Sequence, residues 1–368
     1  MKFKLSEISK ISNGKKAVFY DDGTVPVYGA NGPIGTTQNS KYNVGDIVIG
    51  RVGANAGAVH RPISNFWASD NTMVVTPGER VRSEYLTWLL QKTNFNQMTS
   101  GSAQPLLNQD ILNSIDFEIP GLSEQDYVIS VIEPFENQMG VLTSINDNLR
   151  DLLQEKFKKI ISETPAEFTT LQNLSPSIIA GYWGKDIPDE VNNSSVMVIR
   201  GADIPSISAG GKGQSPERYI KQAARIKKEL KSSDVIVEIS GGSPTQSTGR
   251  NLFISNDLLK RFPESVIGTN FTKVLRFSSY NQAVFAYFYL QYFYNAGLFF
   301  NYENGTTGIK NLDYKSVLKI PIRNVLESDS FVEFVQLFSI IERMRQTNGD
   351  TIETLTQARD TLLAKLIN

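Results

Sequence analysis

The chain has 368 residues, 40% of them hydrophobic, and a formal net charge of −1. That length supports two domains with cores of their own, and any surface built for a polyanion must be local rather than global. There is no cysteine and a single histidine, His60, which excludes disulfide frameworks, thiol nucleophiles and zinc sites built on Cys and His.

The first residues, "MKFKLSEISKISNGKK", lack the apolar core of a signal peptide, so a cytoplasmic protein is expected. Gly45 to Val59, "GDIVIGRVGANAGAV", reads as a β-rich run closing in a glycine-rich turn. It resembles a phosphate loop only superficially, because Ala58 follows where Lys and Ser or Thr are needed; a tight turn between strands is the preferred reading. Phe66 to Val75, "FWASDNTMVV", reads as a further strand, and Tyr85 to Gln91, "YLTWLLQ", as a short aromatic helix. The polar loop from Gly101, "GSAQPLLNQDIL", leads through Ile119-Pro120 and the capping-like Ser123 into a long helical pattern.

From Ser123 to about Ser162 apolar residues recur by threes and fours, at Val128, Ile132, Phe135, Met139, Leu142 and Leu149, with Asn146 taking one position of the seam. The run corresponds to roughly 60 Å of helix at 1.5 Å per residue. Pro134 should kink or restart it, and Gly140 weakens its middle.

The second half repeats the order. "SDVIVEISGGSPTQSTGRN" (Ser233 to Asn251) answers the first strand and turn, "VIGTNFTKVL" (Val266 to Leu275) the second strand, and "FAYFYLQ" (Phe285 to Gln291) the aromatic helix. "NGTTGIKNLDYKSVLKIP" (Asn304 to Pro321) answers the polar loop, although it lacks the Gln-Pro of the first. The aromatic run Val284 to Phe300 is interrupted by Gln291 and Asn295 and reads as a core helix rather than a membrane span. A second long helix, from about Ser328, carries Ile341, Met344, Ile352, Leu355 and Leu362 on its stripe, with Asn348 among them. Antiparallel pairing of the two helices sets Asn146 near Asn348 and Gly140 near Gly349, predicting a close crossing with a polar layer that fixes register. A helical hairpin broken at Asn348-Gly349 is the alternative.

Catalytic motifs are scarce. The one nuclease-like arrangement, Asp189 with Glu229 and Lys231, requires carboxylates about forty residues apart to share a divalent metal. Binding chemistry is better represented. Arg218 to Lys231 holds six basic residues against Glu229, a local net of +5 (6 − 1). As one helix it would place Arg218, Lys221, Arg225 and Lys228 within about 80° and Tyr219, Ala223, Ile226 and Leu230 opposite. Such a stripe suits a phosphate backbone, though a solvated basic face is the plainer reading. Side chains able to read base edges are Asn31, Arg51, Asn55, Ser102, Gln104 and Asn108 in the first half. In the second half they are Gln246, Arg250, Asn251, Lys310 and Asn311, with Lys212 as a further basic candidate.

The combination of "GDIVIGRVGANAG", "FWASDNT", "YLTWLL", "GSAQPLLNQDIL" and "IPGLSEQDYVISVI" resembles the specificity subunit of Type I restriction-modification systems, over nearly the whole chain. The resemblance implies a mixed α/β (α+β) fold: two globular target recognition domains in pseudo-twofold repeat, separated by two long antiparallel helices forming a coiled coil. On this sequence the recognition domains would be 1–122 and 164–325 and the spacer helices 123–163 and 326–368. It further implies a non-catalytic subunit that reads a bipartite, asymmetric double-stranded DNA target. Its partners would be two methyltransferase subunits and the motor-nuclease restriction subunits, with S-adenosylmethionine, ATP and magnesium held by those partners and no cofactor or metal here. A self-contained metal nuclease and a coiled-coil protein-binding scaffold are the other readings the sequence leaves open.

Overall fold

A computed structural model describes residues 1–368 apart from 96, 97, 99–105, 166, 244, 245, 306–308 and 368. The chain forms two compact units, Met1–Asn137 with Gln357–Asn368, and Gln138–Thr356.

In the first unit the elements follow as β1 (Lys2–Lys4), α1 (Leu5–Ile8), β2 (Ser9–Asn13), β3 (Val25–Gly29), β4 (Gly32–Thr37), β5 (Ile47–Gly50), β6 (Val59–His60), β7 (Trp67–Ala68), β8 (Thr72–Pro77), α2 (Ser83–Lys92), α3 (Gln109–Asn113) and β9 (Asp116–Glu118). The helix α4 then runs unbroken from Leu122 to Glu163, beginning in this unit and continuing into the next. β5, with all four residues buried, lies inside a four-stranded sheet of order β2-β8-β5-β6. A second sheet has the order β4-β3-β7, with β3 antiparallel to β4 and parallel to β7. Both faces of β5 are covered, which is why its sequence, Ile-Val-Ile, is apolar throughout rather than alternating.

In the second unit β10 (Phe168–Thr169), β11 (Ser177–Ala180), β12 (Ser194–Ile199), α5 (Ile204–Ser208), β13 (Glu217–Ile220), α6 (Gln222–Lys228), β14 (Asp234–Glu238), β15 (Ser240–Gly241), β16 (Asn251–Phe253), α7 (Asn256–Lys260), β17 (Val266–Gly268) and β18 (Thr272–Arg276) precede α8 (Tyr280–Asn295). β19 (Glu303–Asn304), β20 (Lys310–Leu312), α9 (Tyr314–Val317), β21 (Ile322–Arg323) and α10 (Asp329–Leu366) complete it. The sheets β11-β18-β14-β16 and β13-β12-β17 match the first unit strand for strand, including the antiparallel β12–β13 and parallel β12–β17 pairs. The aromatic run is α8, capped by the Ser279 hydroxyl at Gln282 N–H and buried along most of its length, followed by Gly297 at φ +68°. No described helix is long and apolar enough to cross a membrane.

The long helices meet as their stripes require. In the first unit Val128 and Ile132 share a core with Leu362, Leu363 and Ile367. In the second, Leu149, Leu153 and Phe157 join Phe331, Phe334, Phe338 and Ile341. Asn146, fully buried, accepts a 2.8 Å bond from Asn348 Nδ2, the expected polar layer. Met139 touches the Thr356 hydroxyl through its sulfur, and Phe135, Leu142, Ile352 and Leu355 are half-buried.

Four expectations need correction. α10 is one unbroken helix from Asp329 to Leu366, which removes the hairpin broken at Asn348-Gly349. Pro134 does not restart α4; it is exposed, and the helix is anchored on both sides of it, by buried Ile132 and by Glu136, whose Oε1 accepts from Trp88 Nε1 at 2.8 Å. Met344 is 48% exposed and lies off the seam, while Glu342, Arg345 and Gln346 on the next faces are buried. Gly140 does not pack on Gly349: a side chain at Gly140 would meet open space, whereas one at Gly349 would strike the Gly210 carbonyl. The glycine is there for a loop, not for the opposite helix.

Candidate nucleic-acid interface

In the first unit the described candidates gather around Gly50 and Arg51. The turn from Gly50 is closed by Gly57 N–H donating to Gly50 O at 2.8 Å, with a short 3-10 turn at Gly53–Asn55, so the strand-turn reading holds. A β-carbon at Gly50 would lie 2.3 Å from Asn55 O and 2.9 Å from Ala30 O, so the β3–β4 hairpin tip carrying Asn31 comes against this turn only because residue 50 has none. His60 Nε2, 3.2 Å from Ala30 O, holds the tip from the other side. Leu107 N–H donates to Arg51 O at 3.0 Å and Val52 bridges Leu106, which brings in the segment that ends at Asn108. Asn31 and Asn55 are exposed; Arg51 is half-buried, and its Nε has no hydrogen-bond partner among the described residues. The Asn108 side chain caps α3, its Oδ1 accepting from Ile111 N–H at 2.8 Å, so its oxygen is committed to a helix end rather than to a base. Ser102 and Gln104 lie outside the described residues.

The second unit builds the same pairing. β15, after buried β14, pairs with β20 through Ser240–Asn311 and Gly241–Lys310, just ahead of α9. Here the cations carry their own counter-ions. Glu238 accepts from Arg250 Nε at 2.8 Å and from its terminal nitrogen at 2.5 Å, and the carboxylate raises the guanidinium pKa. Lys310 donates to Glu303 at 2.8 Å, and Glu303, held by Lys310 and by Thr248, titrates below the ordinary glutamate range although burial opposes it. Asn251 is 1% exposed, a core residue rather than a surface reader. Gln246, Arg250 and Asn251 line a cleft of about 410 Å³ together with Arg150 and Gln154 of α4. Asn311 is exposed.

The basic segment Arg218–Lys231 is not one helix. Arg218 lies on β13, paired with Val196, and only Gln222–Lys228 is helical; Ile226, expected to pack, is 65% exposed. Arg218 stacks on Trp183 at 4.3 Å and pairs with Asp186. Arg225 donates to the Ser265 hydroxyl at 3.0 Å, and Lys228 to Ala180 O at 2.6 Å. Burial, with Lys273 nearby, lowers the Lys228 pKa. Lys221 and Lys227 are exposed. Lys212 pairs with Glu353 at 2.7 Å. The aromatic pair Tyr182-Trp183 lies beside these cations, and its only signal in the sequence is "GYWGK".

The nuclease arrangement does not assemble. Asp189 is held by Lys185 at 2.5 Å and by the Val191 and Asn192 amides, which depress its pKa, while Glu229 accepts from Ser265. No group of three His, Cys, Asp or Glu suited to a metal occurs among the described residues.

Residues 1–150 match the family model for the Type I restriction modification DNA specificity domain. The chain is 27% identical over 121 residues to the specificity subunit of the Type I restriction enzyme EcoprrI from Escherichia coli, covering 33% of this chain and 30% of that protein. The first 150 residues thus resemble the DNA specificity domain of Type I restriction-modification systems. A candidate Type I specificity subunit of Haemophilus influenzae is 24% identical over 136 residues, 35% of each chain. The similarity thus spans about a third of the length of these curated relatives. The fold extends further: the S subunit of a Type I system from M. genitalium superposes with a TM-score of 0.56 at 13% identity, over 100% of this chain and 96% of that one. The matched residues contain the whole Gly50–Arg51 cluster, so the similarity to the specificity domain lies in the half where Asn31, Arg51 and Asn55 come together.

Proposed function

We propose that this chain is the specificity subunit of a Type I restriction-modification system, which reads a bipartite, asymmetric DNA target, one half with each unit, and directs methylation and cleavage by partner subunits. The observation that carries the reading is the duplicated loop pair. In each unit the turn after the buried central strand meets the segment ahead of a short capped helix, and polar side chains collect there. The recognition domains would be residues 1–122 and 164–325, with 123–163 and 326–368 as the helices on which two methyltransferase subunits dock. Restriction subunits would join for cleavage, and S-adenosylmethionine, ATP and magnesium would belong to those partners. Arg and the amides supply base-edge contacts, and exposed cations such as Lys221 and Lys227 supply phosphate contacts.

The test is co-expression with a Type I methyltransferase subunit followed by methylation-sensitive sequencing of the host DNA. One split, adenine-methylated motif is expected. A complex that purifies intact yet adds no new methylated motif would refute the reading.

A further inference from the structure

We propose that Gly349, Asn146 and Arg345 are positioning residues that clasp the loop Ser208–Gly213 onto the helix pair and so fix the register of the second recognition domain along α10. This rests on the DNA-reading function proposed above and assigns the device that sets where its second half reads. Three consecutive loop carbonyls are each taken by a different side chain. Arg345 donates to Ser208 O, Asn146 Nδ2 to Ala209 O at 3.2 Å, and Arg261 to Gly210 O at 2.7 Å. Asn146 also bonds Arg345 O at 3.3 Å and receives Asn348, so the polar layer between the helices and the grip on the loop are one network.

The loop fits because two glycines meet. Gly210 has φ +100°, and a β-carbon on it would lie 2.4 Å from Asn146 Nδ2; one on Gly349 would lie 1.9 Å from Gly210 O. The charges are compensated inside the unit. Arg345 pairs with Glu342 at 2.9 Å, and Arg261, 4% exposed, pairs with Asp350 at 2.6 Å. Arg345, Gly349 and Glu353 follow at intervals of four along one face of α10, and Glu353 receives Lys212 from the same loop. The contact is therefore specific to one longitudinal position: sliding α10 by a single turn would replace Gly349 with a residue bearing a β-carbon and carry Arg345 away from the Ser208 carbonyl. One turn is about 5.4 Å, and DNA rises about 3.4 Å per base pair, so the slip corresponds to one or two base pairs.

Gly349→Ala isolates the clasp, because alanine favours the helix itself while its methyl evicts the loop. Gly140→Ala is the matched control, since its methyl meets open space. The full chain with its methyltransferase partner is assayed on duplexes carrying the native half-sites with the native gap or a gap one base pair longer or shorter, and hydrogen exchange is followed in Ser208–Gly213. For Gly349→Ala, loop exchange should rise at least tenfold and the preference for the native gap should fall at least fivefold, with both half-site sequences unchanged; Gly140→Ala should change neither. The double variant Asn146→Leu with Asn348→Leu, which keeps an apolar helix pair but removes the amides, should behave as Gly349→Ala does. Unchanged exchange, faster exchange with an unchanged gap preference, or altered half-sites would each overturn the proposal. A wild-type complex with no split target would instead refute the DNA-reading function, and loop exchange in Gly349→Ala would then decide the clasp by itself.

Discussion

Phe157 is the side chain on which the second unit's hold on α4 can be measured. It is 1% exposed and lies 5.4 Å from Phe288, 5.1 Å from Tyr289, 6.4 Å from Phe331 and 5.7 Å from Phe334, ring centre to ring centre, so one residue of α4 touches α8 and α10 together. Two of these contacts, with Tyr289 and Phe331, are edge-to-face. Burying a phenylalanine and then leaving its cavity costs about 3–5 kcal/mol on truncation to alanine. Favourable aromatic pairs contribute about 0.5–1.5 kcal/mol each beyond area, which places Phe157→Ala in the upper part of that range. For a unit of this size about 4 kcal/mol corresponds to a fall in Tm of about 10–15 °C. Thermal unfolding followed by circular dichroism gives the shift, and hydrogen exchange shows whether α8 loses protection with it. Met344→Ala, on the exposed side of α10, should move Tm by no more than about 2 °C. A loss below about 2 kcal/mol for Phe157→Ala, or an equal loss for Met344→Ala, would refute the packing argument.

Tyr287 is pushed up to about 12 by burial, from an ordinary 10.0. The unfolded chain therefore gives up this proton first as pH rises: the stabilisation is intact below pH 10 and falls away between 10 and 12, by about 2–3 kcal/mol. Denaturant titrations across that window should show the fall, shallower in Tyr287→Phe; an identical slope in the variant would contradict it. Lys221→Ala and Lys227→Ala should weaken binding to all DNA sequences alike and reduce the salt slope by about 1 each, measured by anisotropy against salt; loss confined to one sequence would contradict a phosphate role. Gln125 is fully buried, accepting from Arg82 N–H at 2.8 Å and donating to Arg80 O and Pro120 O at 3.0 and 2.9 Å. Gln125→Leu strands three backbone groups and should cost about 3 kcal/mol in urea unfolding, with a loss under about 1 kcal/mol showing that water replaces the amide.

What was legible in the sequence was what depends on neighbours along the chain. The helix stripes, the Asn146–Asn348 layer and the ordered recurrence of strand, turn and aromatic helix could be read because helical period and turn chemistry are local signals. The basic segment departs from its helical spacing because its first three residues answer to a distant partner. Arg218 and Tyr219 sit opposite Val196 and Ser195 on β12, and that pairing overrides the helical spacing of the cations. Asn251 and Arg250 were misplaced for a related reason: polarity marks a surface only when no partner is at hand, and Glu238, 3% exposed, makes an arginine at home beside the core.

Gly349 carries the same lesson into function. As a glycine in a helix it looked like a weakness worth about 1 kcal/mol, to be excused by a second helix close by. Its reason is instead the carbonyl of Gly210, 139 residues earlier in the chain, which no periodicity could announce. The first unit needs a glycine in the same sense at Gly50, where the β3–β4 tip and the Asn55 turn close on a missing β-carbon. In both units, then, a glycine leaves room for the backbone of a loop to close in, Gly50 for the β3–β4 tip and Gly349 for the Gly210 carbonyl.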